Sequence, residues 1–454
     1  MLAALSAPAL GLENSPATGA DGVTVAADGS GQYKTVQAAV DAAPAHRESP
    51  FVIRIKPGTY REVVLVPKDK PFLSFVGESA EKTVITFDKG AGTIGPDGKP
   101  LGTFNTQTVQ VEGNDFTAEN LTIENAASRE KLGQAIALFA NADRVVFKNC
   151  RLLGAQDTLF AREGRQYYEK CLIQGEVDFI FGGALAWFEQ CQIRCKGGVI
   201  TAASTEPSQP YGYIFSNCTI TAAKGIPVEL GRTWRADAAV TFLNTTMPPE
   251  IRPNGWNNFG DAKNEKTARY SEFGSKSPDG KPVDVSKRVA WSKQLTAEEA
   301  AKLTAAAVFR RPLDEWDPTV PAADAAAKKI SLAAKAAQIK GGNAKLEEGG
   351  ANFGWWTNTD TGFEWQAKLK PGTYTVGITY AVNGDQAGSE VEVTVGGKTI
   401  QGVLAATGGW NDYRNVVLGE IVVDQDASLP VALTAKSAKG RFIGNVKGIV
   451  LVAK

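Results

Sequence analysis

A six-residue pattern recurs through the first half of the chain and limits its fold more than any other feature. Phe147-Lys148-Asn149-Cys150-Arg151-Leu152 is followed by Tyr168-Glu169-Lys170-Cys171-Leu172-Ile173, Phe188-Glu189-Gln190-Cys191-Gln192-Ile193 and Phe215-Ser216-Asn217-Cys218-Thr219-Ile220. Phe242-Leu243-Asn244-Thr245-Thr246-Met247 is a degenerate later copy, and Ala118-Glu119-Asn120-Leu121-Thr122-Ile123 an earlier one. Each copy runs aromatic, two polar residues, a small or apolar residue and, after one exposed position, another apolar residue. Side chains at i, i+2 and i+4 of a strand share a face, so the alternation is strand-like. Repeats of roughly 20 to 29 residues, each with one such strand and no helical stretch, describe a solenoid. The Leu and Asn ladder of leucine-rich repeats is missing. A parallel β-helix fits better, with each repeat forming one coil and equivalent residues stacking at roughly 4.8 Å. The cysteines then form a buried ladder, either as small apolar core residues or with one disulfide, for which Cys171 and Cys191 are the pair expected.

Other segments complete an all-β chain of two domains, the division expected for 454 residues. Thr35-Val36-Gln37-Ala38-Ala39-Val40-Asp41-Ala42-Ala43 reads as a short amphipathic helix capping the first coil. Thr296 followed by Glu299 is a capping-box signature for a helix over 297–307. Past Trp316-Asp317-Pro318 the chain is rich in Pro and Ala, so residues 319–327 are expected to be a linker and residues 21–318 the first domain. Over 328–454, short alternating segments such as 371–380, 390–395 and 419–423, with turns at Gly396-Gly397 and Gly408-Gly409, predict a smaller antiparallel β-sandwich.

Composition removes several kinds of chemistry. The 49 basic and 49 acidic residues cancel, and no apolar run is long enough to cross a bilayer, so neither nucleic acid nor a membrane is an expected partner. The single histidine, His46, sits among Pro and Ala in a surface-turn setting. A Ser-His-Asp triad or a multi-histidine metal site is therefore improbable, and the five cysteines lack zinc-binding spacing. No cofactor or metal is expected, and carboxylates, amides and arginines must carry any catalysis. Residues 1–20 read as a leader remnant: the first eleven look like the tail of a signal peptide without its basic region, which suggests export.

The repeat also places acids. Cys150 lies seven residues before Asp157 and Cys171 seven before Asp178, so stacked cysteines imply stacked aspartates one coil apart, ~5 Å from each other. Like charges that close resist simultaneous ionisation, which suits one to act as an acid and the other as a base or nucleophile. The same register sets Phe160 over Phe181, a floor for the apolar face of a sugar ring or simply an aromatic core stack. A carboxylate pair at this separation would equally suit a retaining glycosidase.

Five segments then narrow the choice. Gly58-Thr59-Tyr60-Arg61-Glu62, Gly133-Gln134-Ala135-Ile136-Ala137-Leu138, Gln156-Asp157-Thr158-Leu159, Asp178-Phe179-Ile180-Phe181-Gly182 and Leu230-Gly231-Arg232-Thr233-Trp234 occur in that order. The set resembles the signature motifs of pectin methylesterases, and the similarity runs from about Val23 to Pro318. The resemblance implies a right-handed β-helix in which Asp178 is the nucleophile toward the C6 methyl ester of galacturonate and Asp157 the general acid and base. It further implies that Gln134 and Gln156 stabilise the oxyanion and that Arg232 holds Asp178 ionised and oriented. Phe104, Phe160, Phe181, Trp234 and Trp256 would line sugar subsites, while Tyr60 and Glu62 would be structural. Thr233 stands where the family usually has Pro, which would loosen the backbone beside Arg232. A secreted, extracellular or periplasmic, monomer acting on methylated homogalacturonan is the expectation.

The C-terminal segments Gly354-Trp355-Trp356, Gly362-Phe363-Glu364-Trp365 and Gly408-Gly409-Trp410-Asn411-Asp412-Tyr413 look like a galactose-binding-like carbohydrate module, with other cell-wall polysaccharides as possible partners. Trp356 and Trp365 read as core, and Trp355, Trp410 and Tyr413 as candidates for sugar contact. Lys447 stands where an acid of a calcium site would be expected. Other β-helix carboxylate enzymes, such as a polygalacturonase or pectate lyase, and a non-catalytic pectin-binding protein remain as alternatives.

Overall fold

The computed structural model describes residues 22–311, 313–314, 316–320 and 328–454. The leader remnant expected at 1–20 and most of the linker expected at 319–327 lie outside them. The chain forms two compact units that divide between Leu303 and Thr304.

The first unit is a parallel β-helix. Among the described residues its three sheets hold eleven, eight and seven strands, every neighbouring pair parallel. A coil therefore has three strands, where the repeat suggested one. In the third copy, for example, Leu185–Glu189 ends one strand and Gln192–Cys195 begins the next. The first of the two residues between them turns the corner: Asn120, Asn149, Lys170, Gln190, Asn217 and Asn244 all have φ between 51° and 56°. That left-handed conformation is uncommon for residues other than glycine, and asparagine tolerates it best.

Stacking fills the coil. Phe147, Tyr168, Phe188, Phe215 and Phe242 lie one above another with centroid separations of 5.5, 4.8, 4.4 and 4.5 Å, all fully buried. Cys150, Cys171, Cys191 and Cys218 form the ladder beside them, and all five cysteines are free and buried. The expected Cys171 to Cys191 disulfide is absent. In-register strands hold successive Cβ atoms at about the 4.8 Å strand spacing, wider than the ~3.8 Å typical of a disulfide. Each thiol instead lies within reach of a backbone carbonyl of the preceding coil, as Cys171 Sγ does with Phe147 O (3.5 Å) and Cys191 Sγ with Tyr168 O (3.3 Å).

Helix Val36–Ala42 packs Val36, Ala39 and Val40 onto the first coils. Its N-terminal amides donate to Glu62, from Val36 N at 2.8 Å and Gln37 N at 2.9 Å, which gives Glu62 the structural role expected of it. The capping box at Thr296 forms, but the helix stops at Ala301 and a second one, capped by Thr304, runs over Ala305–Phe309. A threonine side chain that caps one helix competes with continuation of the previous one.

Among the described residues the second unit, Thr304–Lys454, contains two antiparallel sheets of six and five strands, a β-sandwich. Leu313, ahead of the expected linker, is buried against Val450 and Val452, which explains why this unit begins before residue 318. Trp356 and Trp365 are core residues, 0% and 3% exposed.

Candidate active site

Asp157 and Asp178 lie at the same corner of successive coils. Gln156 pairs in parallel with Val177, Asp157 N donates to Val177 O at 3.2 Å, and Leu159 faces Ile180 in the following strands. Both aspartates adopt left-handed φ, 65° and 50°, which turns their carboxylates out of the strand pattern on the same side. Both are nearly enclosed, at 8% and 7% exposure.

Their surroundings differ. Arg232 grips Asp178 with two hydrogen bonds, Nε to Oδ1 at 2.8 Å and an Nη to Oδ2 at 2.5 Å. The coil between them carries Ala202, paired with Phe181 on one side and Arg232 on the other, and its methyl leaves room for the guanidinium to fold back. Gly231 is required alongside, because a Cβ there would strike Thr201 Oγ1. Among the described residues Asp157 has no such partner. Burial, then repulsion from Asp178, lift its pKa from 3.8 to about 8 against the pull of Arg232. The site therefore pairs an arginine-bound carboxylate with a carboxylic acid that keeps its proton at neutral pH.

Gln134 and Gln156 come from neighbouring coils, tied by Ala135 N donating to Gln156 O at 3.1 Å. Among the described residues neither side-chain amide is engaged in a hydrogen bond, so both remain available as donors beside the aspartates.

An aromatic row borders the pair. Phe139, Phe160 and Phe181 stack at 4.8 and 4.4 Å, Phe104 leans on Phe160 at 5.4 Å, and Trp234 meets Phe181 edge-on at 5.8 Å. Phe160 and Phe181 are only 4% and 3% exposed, so the accessible aromatic surface belongs chiefly to Phe104, at 50%, and to half-buried Trp234. Phe139 was missed by the sequence reading, although it precedes Phe160 by the same interval that separates Phe160 from Phe181. Trp256 does not line a subsite. It is 1% exposed and packed in the core between Phe242 and Tyr270, where its strand Trp256–Asn257 continues the sheet that carries Arg232. Phe259, three residues on, takes the outer position with its ring 4.3 Å from the Arg232 guanidinium carbon.

Thr233 does not loosen Arg232. It is fully buried in strand Glu229–Thr233, and Asn264 Nδ2 donates to its Oγ1 at 3.0 Å, a tie that no proline could offer.

Comparison with known proteins decides the family. A model of the pectinesterase family matches residues 22–311. This chain is a member of the pectinesterase family. It is 44% identical to Pectinesterase 31 of Arabidopsis thaliana over 285 residues, 61% of this chain and 89% of that one. A pectinesterase of Petunia integrifolia is 37% identical over 304 residues, 62% of this chain and 78% of its own. Among solved structures, pectin methylesterase from carrot superposes with a TM-score of 0.58 at 35% identity, covering 63% of this chain and 92% of itself. Pectin methylesterase PemA from Erwinia chrysanthemi does so at 0.57 and 30%, covering 66% and 98%. A pectin methylesterase in complex with a hexasaccharide is also similar, at 30% identity and a TM-score of 0.56 over 66% of this chain and 98% of that one. As a pectinesterase the chain is a carboxylic ester hydrolase on a right-handed parallel β-helix.

Proposed function

We propose that this pectinesterase hydrolyses the C6 methyl esters of galacturonate units in pectin through a covalent intermediate on Asp178. The asymmetry of the two aspartates carries the reading. An Asp178 oxygen, oriented by Arg232, attacks the ester carbonyl carbon, and the negative charge that develops on the carbonyl oxygen is met by the Gln134 and Gln156 amides. The C–O bond to methoxide then breaks, and Asp157, neutral because its pKa is about 8, supplies the proton that makes methanol. Water attacks the resulting anhydride, returns a proton to Asp157 and frees Asp178 with the galacturonate acid. Phe104 and Trp234, over the buried Phe160 and Phe181, would support neighbouring sugar rings.

Highly methylated pectin separates this reading from its rivals. Methanol with matching acid and no new reducing ends is expected, and reducing ends without methanol would overturn it. Asp178→Asn should lower methanol release by at least about 10⁴-fold. Retained turnover in that variant would rule out the covalent route.

The second unit is read here as a carbohydrate-binding sandwich that offers Trp355, Trp410 and Tyr413 to a wall polysaccharide. A polymer substrate of plant walls also favours a secreted enzyme.

A further inference from the structure

The candidate sugar face of the β-sandwich is positively charged as well as aromatic. Trp355 is 51% exposed and holds φ of 56°, a conformation that residues with a Cβ rarely adopt. Its ring meets Phe442 edge-on at 5.8 Å, and Phe442 meets Trp410 in the same way at 5.8 Å. Asn445 Nδ2, at the start of strand Asn445–Ala453, donates to Trp410 O at 3.2 Å, and Lys447 Nζ, two residues on, stands 4.2 Å from the centroid of Tyr413. Trp355, Phe442 and Trp410 thus form one cluster, with Tyr413 three residues past Trp410 in the chain.

Each end of the cluster carries a cation. Lys345 Nζ lies 5.7 Å from the Trp355 ring, Arg441 5.3 Å from Phe442 and Lys447 over Tyr413. All three are exposed, and among the described residues none is in an ion pair. Two acids of the same segments have partners of their own: Glu347 accepts from Asn352 Nδ2 at 3.1 Å and Asp412 pairs with Arg414 at 3.2 Å. A neutral sugar needs the rings but has no use for three exposed cations outside any ion pair. A chain of uronates needs both, rings for its C–H faces and ammonium or guanidinium groups for its carboxylates.

We propose that this face binds de-esterified polygalacturonate, the product of the β-helix unit, in preference to the methylated polymer. The proposal rests on the reading of the sandwich as carbohydrate-binding and adds the charge of the ligand. Product made by one unit would then retain the enzyme through the other, concentrating later turnovers near stretches already de-esterified.

The test uses the full chain carrying Asp178→Asn, so that the polymers are not altered during measurement. Its affinity is compared for polygalacturonate, fully methylated galacturonan and dextran sulfate, with and without Trp355→Ala or Lys345→Ala plus Lys447→Ala. Polygalacturonate should bind about tenfold more tightly than the methylated polymer, and Trp355→Ala should remove about that factor, as loss of an anchoring aromatic does. The double lysine change should weaken polygalacturonate binding about threefold to tenfold, with the deficit shrinking as salt is added, and leave the methylated polymer unaffected. Each variant should keep the parent's circular dichroism spectrum and thermal unfolding midpoint, which shows the fold intact. Equal affinity for both galacturonans that still depends on Trp355 would keep the sugar-binding reading and overturn the preference for acid. Equal affinity for dextran sulfate would also overturn it, in favour of a general polyanion surface. If Trp355→Ala changes binding to no polymer, both readings fail.

Discussion

Two aromatic ladders climb the same β-helix, and they differ in purpose more than in geometry. The inner one, Phe147 to Phe242, and the outer one, Phe139, Phe160 and Phe181, reach the same closest separation of 4.4 Å and are both buried. Stacking is therefore what parallel in-register coils do with any aromatic at a constant interval, and a stack alone does not mark a site. The outer ladder becomes part of a site because the corner beside it departs from the repeat. There Asp157 and Asp178 take left-handed backbone, and Arg232 reaches across a coil that carries only Ala202.

Substitutions can test that distinction. The largest effect on the fold is expected inside: Phe215→Ala should cost about 3–5 kcal/mol in denaturant unfolding while leaving kcat of the folded fraction unchanged. At the corner the pattern should invert. Gln156→Ala should lower kcat by about 10²–10³-fold, as loss of an oxyanion donor does, with no shift in the unfolding midpoint. An inner-ladder change that slows catalysis directly, or a corner change that only destabilises, would erase the difference.

Acidity gives a smaller, graded test. If Asp157 must donate a proton, methanol release should fall about tenfold per pH unit above its pKa of about 8. Stability runs the same way, because the folded state holds this proton more tightly than the unfolded chain. The contribution of Asp157 is complete below 3.8 and is lost as pH rises through about 8. Asp157→Asn should accordingly raise Tm relative to the parent at pH 9 and leave it unchanged at pH 3. The smallest effect belongs to Thr233→Val, which removes the acceptor for Asn264 and should cost about 1 kcal/mol with a modest fall in kcat. A kcat equal to the parent's would show that Arg232 is positioned by its strand and by Phe259 alone.

The coil was legible because its register turns sequence interval into spatial height, so Asp157 over Asp178 and Phe160 over Phe181 could be read from spacing. The corners were not. A single left-handed residue such as Gln190 flips the alternation between two strands, and the sequence on either side still looks like one. Trp256 was misplaced because Asn254-Gly255-Trp256-Asn257 has the composition of a loop, whereas its burial is decided by Phe242 and Tyr270 from other coils. In the antiparallel sandwich the partners stand at no fixed interval: Ser389–Val395 pairs with the next strand, Lys398–Leu404, but Gly362–Leu369 with Ala427–Ala435. The strands could be read there, but the meeting of Trp355 and Trp410 on either side of Phe442 could not.

The free thiol column sets an order on events during folding. Once the coils close, Cys150, Cys171, Cys191 and Cys218 are sealed from any oxidant. Before closure, the same four sulfurs lie on a loose chain where any two can couple and hold the wrong coils together. Refolding yield should thus depend on reductant while the finished enzyme ignores it, so an oxidising medium would reward chains that wind quickly.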